Sequence, residues 1–188
     1  MAARRGVLET RTAHIRHSDD MSLMDKLGRR WEARQRGTEP IRVDTDVVIS
    51  ATRERVWSFV MHPDSARLLD PEVVNAFRVP GSPEMAVGEQ HCTVLRHGAV
   101  LAAHITEVVG MDAPRSVSFR SLTVPGAFVA SYLFEELGSK TRLTYRVEGQ
   151  VAAGAKAQAE ESARTSAAHA LNQMRAVVES GASLSSDP

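Results

Sequence analysis

The hydrophobic rhythm of the chain changes twice within its first fifty residues. Residues 1–20, MAARRGVLETRTAHIRHSDD, follow neither a two-residue nor a 3.6-residue period and mix charge with small polar groups, a composition expected to stay disordered. From Ser22 the rhythm becomes helical. Leu23, Met24, Leu27 and Trp31 recur on one face, and Ser22 with Asp25 resembles an N-terminal cap, so a short amphipathic helix is expected over 22–36. The break Gly37-Thr38-Glu39-Pro40 should end it. Beyond it, Ile41, Val43, Thr45, Val47 and Ile49 alternate with Arg42, Asp44, Asp46, Val48 and Ser50, the period of a half-buried strand over 41–51.

Thr52 can cap the next helix, whose stripe is Val56, Trp57, Val60 and Met61 and which should stop near His62-Pro63-Asp64. A further turn or two follows over 65–69. From Pro71 to Gly149 the pattern is strand and turn, broken at Pro80-Gly81-Ser82-Pro83, His97-Gly98, Asp112-Ala113-Pro114, Pro125-Gly126 and Gly138-Ser139. Six strands are expected, near 72–79, 88–96, 99–109, 115–122, 127–137 and 140–150, with loops short enough for a meander of hairpins. After Gly149 the helical period returns, with Ala163, Ala167, Ala170, Leu171, Met174 and Val178 on one face. A helix of roughly thirty residues would be ~45 Å long, enough to cross a sheet.

These elements predict a two-layer α+β domain in which a curved antiparallel sheet wraps the last helix. Large residues near the helix C-terminus, Leu171, Met174, Val177 and Val178, can pack on the sheet. The earlier half offers Ala152-Ala153-Gly154-Ala155, Ala157, Ala159 and Ala163, and small side chains leave room for a cavity.

Composition narrows the class rather than the function. With 188 residues the chain suits one domain plus extensions, and its net charge of zero gives no whole-molecule argument for nucleic acid or membrane. Residues 1–40 hold nine Lys/Arg against six acids, which reads as a soluble arm. The single cysteine, Cys92, cannot form an internal disulfide, and the N-terminus lacks the apolar core of a signal peptide. No stretch approaches the ~20 apolar residues of a membrane span. A cytoplasmic protein is expected, without stable membrane insertion.

The run Val48-Ile49-Ser50-Ala51-Thr52-Arg53-Glu54-Arg55-Val56-Trp57, followed by His62-Pro63-Asp64, resembles the opening of the START-like (SRPBCC) superfamily in its polyketide cyclase/dehydrase and lipid-transport branch. Further similar positions follow in order: Val87-Gly88 entering a strand, Ala113-Pro114-Arg115 between strands, Phe134 before Gly138-Ser139-Lys140-Thr141-Arg142-Leu143-Thr144, and Leu171-Asn172-Gln173-Met174. The resemblance implies a helix-grip fold, a seven-stranded curved antiparallel sheet around a long C-terminal helix with a cavity between them. It divides the chain into an N-terminal extension, 1–40, a ligand-binding domain, 41–180, and a flexible tail, 181–188. Members of the superfamily include aromatase/cyclases, lipid and hormone carriers and chaperone activators, so the fold leaves the function open.

A two-residue turn at Gly138-Ser139 pairs Phe134 with Leu143, Tyr132 with Tyr145 and Ala130 with Val147 on one face, the expected cavity wall. Glu135 then meets Arg142, and Ser131 meets Arg146, on the solvated face. Tyr132 and Tyr145 can orient a ligand or donate a proton, or simply satisfy their hydroxyls. A turn at His97-Gly98 would set His91 opposite His104, a pair able to do acid–base work near neutral pH. Which face they take is open: alternation makes Cys92, Val94, Leu101, Ala103 and Ile105 the buried set, whereas similarity to the family puts apolar, inward positions where His91, Thr93 and Leu95 stand. Substrate contacts are expected from Phe119, Phe134, Leu143, Ala163, Ala167, Leu171 and Met174.

Neither a metal site nor a cofactor motif is present, because two histidines without a third partner do not complete a coordination shell. Cys92 reads as a small buried hydrophobe and Lys156–Glu160 as a solvated pair. Three readings stay open. The chain is a cyclase/dehydratase-type enzyme acting on a small hydrophobic molecule, a carrier that sequesters one, or an interaction protein whose cavity is filled. Convergent His, Tyr or Arg groups would favour chemistry and an aliphatic lining would favour carriage. A homodimer is compatible with the sequence, and nucleic acid is not an expected partner.

Overall fold

The computed structural model describes residues 37–123 and 128–182. The arm and helix expected before residue 37 and most of the C-terminal tail lie outside the described residues. Seven strands form one antiparallel sheet: β1 (Thr38–Ile49), β2 (Val73–Arg78), β3 (Gln90–His97), β4 (Val100–Asp112), β5 (Ser116–Ser121), β6 (Val129–Leu137) and β7 (Lys140–Ala152). Their order is β1-β7-β6-β5-β4-β3-β2, so strands two to seven run as a meander and the first strand closes beside the last. Two short helices, α1 (Arg53–Met61) and α2 (Ser65–Leu69), link β1 to β2, and α3 (Lys156–Glu179) follows β7.

The first strand begins at Thr38, inside the expected break. Pro40 is tolerated because β1 is an edge strand with β7 as its neighbour, and an edge position can do without one N–H. The terminal helix is shorter than its periodicity suggests, 24 residues or ~36 Å. Residues 150–152 continue β7 opposite Thr38–Pro40, and Gly154 turns the chain with a φ of 84°. The segment Ala152-Ala153-Gly154-Ala155 therefore lies outside the helix, whose small residues turned from solvent include Ala167, buried, and Ala163, half-buried.

The core forms where α1 and the C-terminal half of α3 meet the sheet. Thr52 caps α1, its hydroxyl accepting from the Arg55 N–H at 3.4 Å. Val56 and Trp57 are buried, and the Trp57 ring meets Phe134 edge-on at 5.3 Å between centroids. The helix end is fastened twice: Arg55 Nη2 donates to the Val178 carbonyl at 3.0 Å, and the Ser50 N–H donates to Glu179 Oε1 at 2.7 Å. Phe134 and Leu143, expected in a cavity wall, are packed core here, since α1 and the larger residues of α3 close over that end of the hairpin.

The β6–β7 register is the one the turn predicts, Phe134↔Leu143, Tyr132↔Tyr145 and Ala130↔Val147. On the outer face Arg142 Nη1 donates to Glu135 Oε2 at 2.7 Å. Arg146 reaches across to Asp44 on β1 instead of Ser131, holding the Asp44 carboxyl below its usual value through that hydrogen bond, while Ser131 bonds the Ser118 hydroxyl. The β3–β4 hairpin differs from expectation. Its turn is Gly98-Ala99, one residue later, so His97 pairs with Val100, His91 with Thr106 and His104 with Thr93. The two histidines are thus diagonal neighbours on one face rather than directly opposed.

That face is the inner one. Cys92, Val94, Leu101, Ala103 and Ile105 lie on the outer side, where Cys92 pairs with Phe77 and Ile105. Leu101 on that side is 59% exposed, whereas Cys92 is buried there as expected, and His91 is buried on the inner side. Alternation separates two faces but does not say which one the helix covers. Val109 bulges out of the β4–β5 ladder, so Val108 and Met111 both turn toward the core.

Candidate active site

Between the sheet and the helices lies a hollow of about 340 Å³. Strands β3 and β4 contribute His91, Thr93, His104 and Thr106 to it, and β5 contributes Phe119 and Ser121. Tyr132, Tyr145 and Val147 line it from β6 and β7, and Met174 from α3. The end of α1 adds Val60 and His62. A second hollow of about 240 Å³ shares Tyr132, Tyr145 and Met174 and is otherwise bounded by one face of α3, with Ala163, Ser166, Ala167, Ala170 and Leu171. The tyrosine pair and Met174 stand where the two adjoin. The larger mixes polar, aromatic and alkyl groups, and the narrower is largely alkyl apart from the tyrosines and Ser166.

An aromatic run crosses the floor. The His91 ring lies 5.8 Å from Phe119, Phe119 meets Tyr132 edge-on at 6.2 Å, and Tyr132 lies 4.9 Å from Tyr145 between centroids. Burial pushes both phenols up, with the Tyr145 hydroxyl adding to the effect at Tyr132, so both keep their protons and can donate to an oxygen. Burial pushes the His104 imidazole down, toward its neutral form, and its Nε2 lies 3.0 Å from Ser121 Oγ.

His91 has the most constrained surroundings. Its Nε2 lies 2.9 Å from Oε1 of Glu89, a carboxylate with no exposed surface. Arg78 Nε donates to the same oxygen at 3.1 Å, and the Met85 N–H donates to Oε2 at 2.5 Å. Glu89 was not among the residues the sequence singled out, although Glu89 and His91 stand two apart before and within one strand and so share a face. His62, read only as a helix end, also lines the larger hollow, and its Nδ1 is buried with no hydrogen-bond partner among the described residues.

Of the expected site residues, His91, His104, Phe119, Tyr132 and Tyr145 come together around the larger hollow, and Ala163, Ala167, Leu171 and Met174 border the narrower one. Phe134 and Leu143 border neither. Phe128 closes part of the larger hollow, and its ring rests on Gly149, where an added Cβ would come within 2.3 Å of it. Among the described residues no group of three His, Cys, Asp or Glu is arranged to hold a metal ion. Among them, too, no helix is long and apolar enough to cross a membrane.

A seven-stranded sheet gripping one long helix above a lined hollow defines the helix-grip class of α+β domain. The chain belongs to the polyketide cyclase / dehydrase and lipid transport family, whose model matches residues 40–179. No curated protein sequence matches it. Among solved structures it is similar to a START superfamily protein from Mycobacterium smegmatis, at 14% identity and a TM-score of 0.62 over 75% of this chain and 99% of that one. An aromatase/cyclase from Streptomyces sp. R1128 aligns at 15% identity and 0.55, over 75% and 94%. Truncated norcoclaurine synthase from Thalictrum flavum aligns at 12% and 0.58, over 76% and 94%. At such identities the likeness is one of fold.

Proposed function

We propose that the chain binds a small, largely apolar carbonyl compound between α3 and the sheet and catalyses its cyclisation or dehydration by acid–base chemistry. The observation that carries this reading is the convergence of His91, His104, Tyr132 and Tyr145 on one hollow that otherwise offers aromatic and alkyl surface. In the reaction, a neutral imidazole takes a proton from the carbon next to a carbonyl. The resulting enolate attacks a second carbonyl of the same molecule, forming the ring bond, and the new alkoxide takes a proton from the site. Loss of a further α-proton with the hydroxyl releases water and leaves a conjugated enone. Protonated phenols at Tyr132 and Tyr145 suit donation to the carbonyl oxygens, and the hollow holds the chain folded so that closure is intramolecular.

A simple 1,5-diketone tests this, because its ring closure yields a cyclohexenone that absorbs in the ultraviolet. His91→Gln is expected to lower turnover by at least ~10²-fold while binding of the diketone survives, and His104→Gln to lower it less. The second reading is carriage, favoured by the alkyl lining of the narrower hollow. If the wild-type chain binds the diketone but closes no ring above the buffer rate, and an apolar metabolite co-purifies in native mass spectrometry, carriage replaces catalysis.

A further inference from the structure

We propose that Glu89 is the positioning residue of the site: it takes the Nε2–H of His91, so the ring is held as the tautomer whose lone pair is on Nδ1, and Nδ1 is the atom that receives the substrate proton. This rests on the acid–base reading above and names the atom that performs it.

Arg78 Nε and the Met85 N–H can only donate, and they occupy one oxygen each of Glu89. A carboxylate that collects such donors is an acceptor toward its third partner as well, so His91 Nε2 carries the hydrogen at 2.9 Å. A neutral imidazole has one N–H, which leaves Nδ1 as its basic atom. His104 has no comparable device. Its Nε2 faces the Ser121 hydroxyl, a group of a type that both donates and accepts, rather than a buried carboxylate.

The surroundings support a built feature. Glu89 has no exposed surface, and a buried carboxylate is unfavourable unless charge and hydrogen bonds compensate it. Arg78 supplies the charge and is itself braced by Glu84, with Nη2 at 2.7 Å from Oε1. Met85 takes a left-handed φ of 50°, rare for a residue with a side chain, and in that conformation its N–H reaches Glu89. The Glu89 N–H is bound to the Ala86 carbonyl, and the Glu89 carbonyl receives the Val108 N–H at 2.8 Å, so its backbone is held from both sides.

Long-range proton–nitrogen spectra of the ¹⁵N-labelled full chain near pH 8.5, about two units above the ordinary imidazole value, read the tautomer directly. His91 is expected to show a protonated Nε2 and an unprotonated Nδ1. In Glu89→Gln these signals should move toward the averaged values of two exchanging tautomers. Turnover of the 1,5-diketone should then fall by ~10-fold or more through kcat, with KM little changed. The double variant Glu89→Gln/His91→Gln should be no slower than His91→Gln, because Glu89 acts through the histidine. A protonated Nδ1 or an averaged signal in the wild-type chain overturns the proposal, even if Glu89→Gln fails to fold. So does a double variant clearly slower than His91→Gln. Should His91→Gln turn over at the wild-type rate, the acid–base reading falls and this role with it.

Discussion

His104 shows how burial alone can make a residue report on the hollow. Its ring is half-buried beside Ser121, and desolvation lowers its pKa below the ordinary 6.5. As pH falls below about 6.5 the unfolded chain takes up a proton at this position before the folded one does, so stability is complete above that value and declines in acid. His104→Gln should remove that contribution, giving a flatter plot of thermal midpoint against pH between about 5 and 7. An unchanged slope would mean that water reaches the ring in the folded protein. The histidine pair was legible as chemistry because of its residue type. Its orientation was not, since the same alternation fits a sheet covered on either side, and the polar set faces inward only because the hollow accepts it.

Among the elements, the β6–β7 hairpin and α3 divide the credit differently. The hairpin's register follows from a two-residue turn at Gly138-Ser139, a local feature that pairs everything up to Val129 with Glu148. The helix start does not follow from periodicity, because β7 competes for residues 150–152 by pairing with β1. What remains of the alanine-rich stripe borders the narrower hollow. Ala163→Phe should fill it, abolishing uptake of anilinonaphthalene sulfonate followed by fluorescence, while urea denaturation changes by no more than ~1–3 kcal/mol, the usual range for overpacking. Undiminished dye binding would move the apolar site away from α3.

The whole molecule depends on closing a meander with a strand drawn from far away in sequence. β1 pairs with β7 along its length and supplies Ile41, Val43 and Ile49 to the buried set, each worth about 1.5–3 kcal/mol on burial. Their sum is comparable with the roughly 5–15 kcal/mol that holds a domain together. A chain beginning after residue 50 should therefore show no cooperative thermal transition. One beginning at Met21, by contrast, should melt within ~5 °C of the full chain, since residues 1–20 carry no apolar stripe. A cooperative transition in the shorter chain would show that six strands and three helices hold a core without β1.

Residue order by itself determined the periods, the turns and hence the run of strands and helices, because a period of two or 3.6 is a property of backbone geometry within a few residues. It also carried the β6–β7 register and the tyrosine pair, which depend on one turn. Tertiary structure alone decided which sheet face the helix covers, that Phe134 and Leu143 are core beneath Trp57, and that Glu89, Arg78 and Met85 meet behind His91. Those outcomes depend on groups brought together by chain folding, and the free energy of burying a polar side chain is set by the partners it finds there rather than by its neighbours in sequence.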